Sequence, residues 1–268
     1  MTDSSSSHPI ITLLTDFGTR DYFVGAMKGV IFSINPEVQI VDITHDIPPQ
    51  DIEAAAFNLL ACYQDFLAAT IHVAVVDPGV GSNRRAIVIE CANQFFVGPD
   101  NGLFSWICER EGNFRAVDLT NDKFFRHPVS STFHGRDIFA PAAAAISKGA
   151  AIEDFGALVE TIVLLESLEP KKAERGIIEG SIIHIDRFGN CITNLTRDHL
   201  SAVAKLIING RELEFRSFFA AGGMDDGDLF YLFGSAGFAE IVARDRSAAE
   251  ILEARRGQPV IALTGRIG

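Results

Sequence analysis

Nowhere does an apolar run reach the roughly 18 residues that a membrane-spanning helix needs, so no membrane anchor is expected in this chain. Positive charge is scarce. Lysine and arginine number 23 against 35 aspartates and glutamates, a formal net charge of −12. Sequence-independent nucleic-acid binding rests on cations that neutralise phosphates, so a nucleic-acid partner is not expected. Anionic membrane surfaces would repel the chain as well. Cysteine is sparse: Cys62, Cys91, Cys108 and Cys191 form no C-x-x-C pair, which argues against a structural zinc site. Each lies in or beside an apolar run and reads as a small core residue. The N-terminal stretch MTDSSSSHP lacks the basic and apolar regions of a signal peptide. It reads as a disordered tail over residues 1–9, on a cytoplasmic protein.

Several catalytic signatures are missing too. TDFG, at residues 15–18, has no companion Gly-rich nucleotide loop and no H-R-D, so it is not the kinase motif. DPGVGSNRR is glycine-rich but lacks the G-x-x-x-x-G-K-[ST] of a P-loop. There is no G-x-S-x-G elbow. Asp16, His45, Asp46, Asp77 and His134 offer a carboxylate and imidazole set for a metal-dependent hydrolase. That set has no close pair of the H-x-x-x-H or H-x-E kind.

What remains is an ordinary globular composition, 47% hydrophobic and 22% charged over 268 residues, enough for one large domain or two modest ones. IITLLTDFG, VQIVDIT and TIHVAVVD read as buried strands ending in polar residues. YFVGAMKGVIFSINP has helical spacing and a stop at Pro36. DIEAAAFNLLACYQDF is a helix with Asp51 as its cap, and GRDIFAPAAAAISKG is another, ending at Gly149. Strands alternating with helices predict an α/β domain with a largely parallel sheet over 10–165. ESLEPKKAERG reads as a linker at 166–176. Short strands and turns then predict a smaller β-rich, barrel-like domain over 177–268. In α/β sheets, sites form at the carboxyl ends of strands, where Asp16, Asp46 and Asp77 fall.

Residues 73–90, VAVVDPGVGSNRRAIVIE, read as a strand, a tight Gly/Pro turn and a second strand. A plain hairpin needs the glycines. It does not need Asp77 at the entrance and Arg84 and Arg85 at the exit. His134 in STFHGRD, and Asp186 and Asn190 in IDRFGN, also interrupt apolar runs. Singly, each is an ordinary turn former, surface ion or structural histidine. Together they point to a site.

TDFG, VDPGVGS-x-RR, FVGPDNG, STFHGRDIFAPAAA, IDRFGN-x-x-TN and a late GSAG…SAA occur in this order. This set resembles the S-adenosylmethionine (SAM) hydroxide adenosyltransferase family, adenosine-forming SAM hydrolases related to the fluorinating and chlorinating SAM enzymes. The similarity spans about residues 10–268. It implies an α/β N-terminal and a β-rich C-terminal domain, and a homotrimer with active sites between subunits. It implies SAM as substrate, adenosine and methionine as products, and no cofactor or metal. Asp77, Arg84 and His134 fall on the family's catalytic set, and Asp16 on the acid that holds the ribose hydroxyls. Thr132 and Phe133 fall where the halogenating relatives line the substrate pocket. Asp186 matches the methionine-amino contact, Phe188 and Asn190 the adenine contacts, Ser235 a carboxylate contact, and Ala248 a backbone adenine contact. The halogenases carry an aromatic residue and a Thr at Asp77 and Val80, which implies that water replaces halide here. They carry a Trp at Gln50 and an Arg at Ala236, so ribose packing and the carboxylate contact differ. A non-catalytic SAM or adenosine binder is the alternative reading.

Overall fold

The computed structural model describes residues 8–173, 176–200, 205–217 and 225–263. The tail expected at 1–9 lies, up to residue 7, outside the described residues. The chain divides into two compact units, Met1–Ser167 and Leu168–Gly268.

The first unit runs β1 (Ile10–Thr15), α1 (Phe23–Ile34), β2 (Gln39–Thr44), α2 (Ile52–Cys62), β3 (Ile71–Val75), β4 (Ala86–Cys91), β5 (Gln94–Pro99), α3 (Ser105–Glu111), β6 (Phe114–Asp118), α4 (Ala140–Ile146) and β7 (Leu158–Val159). These strands form one sheet in the order β2-β1-β3-β5-β4-β6-β7. The β2-β1-β3-β5 part is parallel, and β4, β6 and β7 add antiparallel pairings. β1 and β3 are almost wholly buried, as strands covered on both faces must be. On one face Ile11, Leu13, Val73 and Val75 share a core with Val24, Met27 and Ile31 of α1 and the alanines of α4. Val24, Met27 and Ile31 recur at three- and four-residue spacing, a single helical stripe. By alternation Thr12 and Leu14 point to the other face, where α2 meets β1 and α3 meets β4.

Two local expectations change. β3 and β4 are not a hairpin: β5 lies between them, hydrogen-bonded to both. Residues 76–85 therefore bridge two non-adjacent strands. The hairpin lies further along the chain, where Ala92 and Asn93, at φ 54° and 59°, connect β4 to β5. The predicted helix at GRDIF begins as a π-helical turn, Gly135–Phe139, and becomes α-helical only from Ala140.

The second unit runs β8 (Lys171–Lys172), β9 (Ile177–Ile185), β10 (Cys191–Thr196), β11 (Lys205–Ile208), β12 (Arg211–Leu213), β13 (Leu229–Phe233), β14 (Phe238–Ala243), α5 (Ala248–Leu252) and β15 (Pro259–Leu263). Its antiparallel order is β12-β11-β15-β9-β10-β14-β13, with β8 paired to β9. Glu214 and Arg216, just past β12, exchange backbone hydrogen bonds with Tyr231 of β13, so the sheet nearly closes on itself. Closure removes open edges and encloses a core of Ile182, Leu195, Leu206, Ile241 and Val260.

Candidate active site

In the first unit, Asp16 immediately follows β1 and Asp77 stands two residues beyond the end of β3. Both line a cleft of about 410 Å³ with Phe17, Phe23, Gln50 and Val80. The Asp16 carboxylate accepts the Gln50 N–H at 2.8 Å. Gln50 stands at φ 66°, in the left-handed region, which turns its N–H inward. Arg84 returns across the bridge to meet Asp77. Its Nε lies 2.9 and 3.0 Å from the two carboxylate oxygens, and its Nη2 also donates to Oδ2. The same Nη2 is 2.8 Å from His134 Nδ1. The Asp77 and Arg84 side chains are only 5% and 11% exposed, so water screens the pair little. Phe139 of the π-helical turn lies under the guanidinium, 5.3 Å from ring centre to Cζ.

The bridge is held by its own backbone and by its neighbour. Val80 N–H donates to Asp77 C=O, and Ser82 N–H to Gly79 C=O. Gly81 has φ 77°, and a Cβ there would stand 2.3 Å from the Ser131 carbonyl oxygen. The bridge thus rests directly on the loop that delivers His134. That loop is fixed by Asp137, fully buried, which accepts from Ser130 N, Arg136 Nε and Arg126 Nη1. Burial and the charge of Arg84 hold the His134 pKa below its ordinary value, against the opposing pull of Asp77 and Asp137.

Arg85 turns the other way. It donates to the buried Asp100 and to the Thr161 carbonyl, tying down the end of the unit. Asp46 is exposed, with its N–H on Thr44 Oγ1, and stays a turn former. His45 is bound to Thr15. Among the described residues, no three His, Cys, Asp or Glu side chains are grouped as a metal would require.

In the second unit a cavity of about 940 Å³ is bordered by Asp186, Phe188, Asn190, Ser235, Glu240 and Ser247. Asp186 accepts from Phe188 N and Asn190 N, and from Asn190 Nδ2, at 2.8–2.9 Å. Its carboxylate builds the turn that presents Phe188, which is 77% exposed at the cavity edge. Gly189, at φ 81°, sits where a Cβ would lie 2.1 Å from Ser247 Oγ, so the turn docks on the start of α5.

The sequence pattern of the SAM hydroxide adenosyltransferase N-terminal domain matches residues 11–156, and that of the C-terminal domain residues 180–261. The chain belongs to this family. It is similar to the (R)-S-adenosyl-L-methionine hydrolase of Salinispora arenicola, 35% identical over 97% of this chain and all of that one. It is 42% identical to the hydrolase of the same name from Methanocaldococcus jannaschii, over 72% of this chain and 69% of that one. A crystal structure of an uncharacterised conserved protein from Thermotoga maritima superposes with a TM-score of 0.86 at 34% identity, over 94% of this chain and 99% of that one.

For a SAM hydroxide adenosyltransferase, the N-terminal residues fall as follows. Asp77, Arg84 and His134 form one hydrogen-bonded chain, and Asp16 shares the cleft with Asp77. Phe133 is buried against Phe17 and Phe23, with ring centres 5.8 and 5.1 Å apart. It backs the cleft wall. Thr132 is exposed on the His134 loop, its N–H on Ser130 Oγ. Ala248 is fully buried, and its neighbour Ser247 borders the cavity. Sequence reasoning passed over Glu240. It is half-buried in the cavity wall, and burial, then Asp186, push its pKa up. The available signal was an acid inside the apolar strand FAEIVA.

Proposed function

We propose that the protein hydrolyses SAM to adenosine and methionine, with water or hydroxide attacking ribose C5′. The observation that carries this reading is the Asp77–Arg84–His134 chain beside a cleft that also holds Asp16. The relatives named as hydrolases support it. Asp16 holds the ribose hydroxyls, and Thr132 and Phe133 shape the pocket. Asp186 takes the methionine ammonium, Phe188 and Asn190 the adenine, Ser235 the carboxylate, and the backbone at Ala248 the adenine edge.

The leaving group is a neutral thioether departing from a sulfonium, so it needs no general acid. The difficult partner is water, which must be oriented and partly deprotonated. A guanidinium only donates, so His134 Nδ1 is the acceptor from Arg84 and the imidazole carries its proton on Nε2. Neutral His134 is then a donor at Nε2. Asp77, held by two guanidinium nitrogens, is fixed in place to orient the water. Arg84 and the Nε2–H stabilise hydroxide character as the C–O bond forms and the C–S bond breaks. The attacking water becomes strongly acidic as the C–O bond forms, and its proton passes by way of the Asp77 carboxylate oxygens to solvent, one per turnover. We further infer a cytoplasmic homotrimer with active sites between subunits. The free cysteines suit a reducing compartment, and sedimentation tests the trimer.

Incubation of metal-free protein with SAM, beside Asp77→Ala and with chelator, tests the reaction. Adenosine plus methionine in equal amounts, lost in the variant and unaffected by chelator, is expected. Tight SAM binding without turnover would make this chain a binding protein instead.

A further inference from the structure

We infer that His45 is a positioning residue for Asp16, holding the turn that aims this carboxylate into the cleft. The inference rests on the reading of Asp16 as the ribose contact.

Thr15 ends β1 and is fully buried immediately before Asp16. Its Oγ1 accepts the Phe17 N–H at 3.2 Å and lies 2.8 Å from His45 Nδ1. A buried hydroxyl proton needs an acceptor, and His45 Nδ1 is the acceptor in reach. The imidazole proton is then on Nε2, 3.1 Å from Asp42 Oδ1 in a charge contact that misses hydrogen-bond geometry. Asp42 in turn takes Lys28 Nζ at 2.6 Å. The His45 carbonyl receives the Gly18 N–H at 2.8 Å. His45 therefore grips the Asp16 turn on both sides, through Thr15 before it and Gly18 after it. The Gln50 N–H fixes one carboxylate oxygen of Asp16 at 2.8 Å, and the His45 grip fixes the backbone that carries it. His45 is 5% exposed and does not border the cleft, so it acts on substrate only through Asp16.

The test compares the Kd of adenosine with that of 2′-deoxyadenosine by calorimetry, in the full-length protein. A hydrogen bond to a charged carboxylate gives adenosine an advantage of about tenfold or more. Asp16→Ala should abolish that advantage; if the ratio survives in Asp16→Ala, the ribose reading itself fails. With that control in place, Thr15→Val and His45→Ala should each bring the ratio towards one, and the double variant should go no further than either. His45→Asn, whose amide oxygen stands in for Nδ1, should recover most of it. An unchanged ratio in Thr15→Val and His45→Ala, with only the melting temperature lowered, would overturn the inference. Thr15→Val removes only the hydroxyl, so it carries the test should His45→Ala not fold.

Discussion

Arg84 holds Asp77 and His134 with one guanidinium: Nε spans the carboxylate at 2.9 and 3.0 Å, and Nη2 reaches His134 Nδ1 at 2.8 Å. No other side chain combines a planar fork with a permanent charge in this way. Arg84→Lys keeps the charge but cannot fork the carboxylate and reach the imidazole together. It should lower kcat for SAM hydrolysis about 100-fold, with a melting curve close to wild type. Retention of more than a tenth of the activity would show that charge alone suffices.

The His134 pKa lies below 6.5, chiefly through burial and then Arg84. The native state therefore binds fewer protons than the unfolded chain just below pH 6.5. Its contribution to stability is fully present above pH 6.5 and is lost as pH falls below it. The neutral imidazole proposed for the reaction persists in the same range. A pH profile of kcat/KM should have its acid limb centred below 6.5. An acid limb centred above 6.5 would contradict the tautomer derived from the Arg84 contact.

Gly81 is held against Ser131 by both its left-handed φ of 77° and its missing side chain. Gly81→Ala adds backbone strain of about 1–2 kcal/mol and a steric clash with a carbonyl. The bridge must then lift from the His134 loop. Activity should fall much further than stability, read by product formation beside thermal melting.

Glu240→Gln removes a carboxylate from a cavity proposed to hold the methionine ammonium. KM for SAM should rise by roughly two- to fivefold, the worth of a partly screened charge pair, with kcat nearly constant. Steady-state kinetics separate the two constants directly.

Much of the N-terminal unit was legible because its signals are local. Asp51 caps α2 by accepting the Ala54 N–H at 2.9 Å, as its place before an alanine-rich run predicts. The near-continuous apolar runs of β1 and β3 announced a sheet covered on both faces. Strand order was not legible. Whether β4 or β5 lies beside β3 depends on packing over the whole sheet, and Ala92 and Asn93 at positive φ carry no Gly to mark their turn. The two arginines look alike in sequence, yet Arg84 turns to Asp77 and His134 beside the cleft and Arg85 turns away to Asp100, because consecutive residues of an extended chain face opposite ways. The π-helical turn at Gly135–Phe139 was equally hidden. Gly135 and Asp137 are weak helix formers that leave the start of the helix undecided, and the i→i+5 bond from the Ala140 N–H to the Gly135 carbonyl is what distinguishes it.

The segment carrying Asp77 and Arg84 spans β5 from one strand to the next but one. Its two abutments are set by sheet geometry, roughly 10 Å apart for two strand spacings. An inserted or deleted residue cannot be absorbed by sliding β3 or β4, since each is locked in register with β5. Length is therefore the rigid property of this segment, while a position such as Val80, on the cleft and free of Gly81's constraint, is open to exchange. Exchange at such a position is expected to leave the Asp77–Arg84 spacing intact, whereas a change of loop length is expected to alter it.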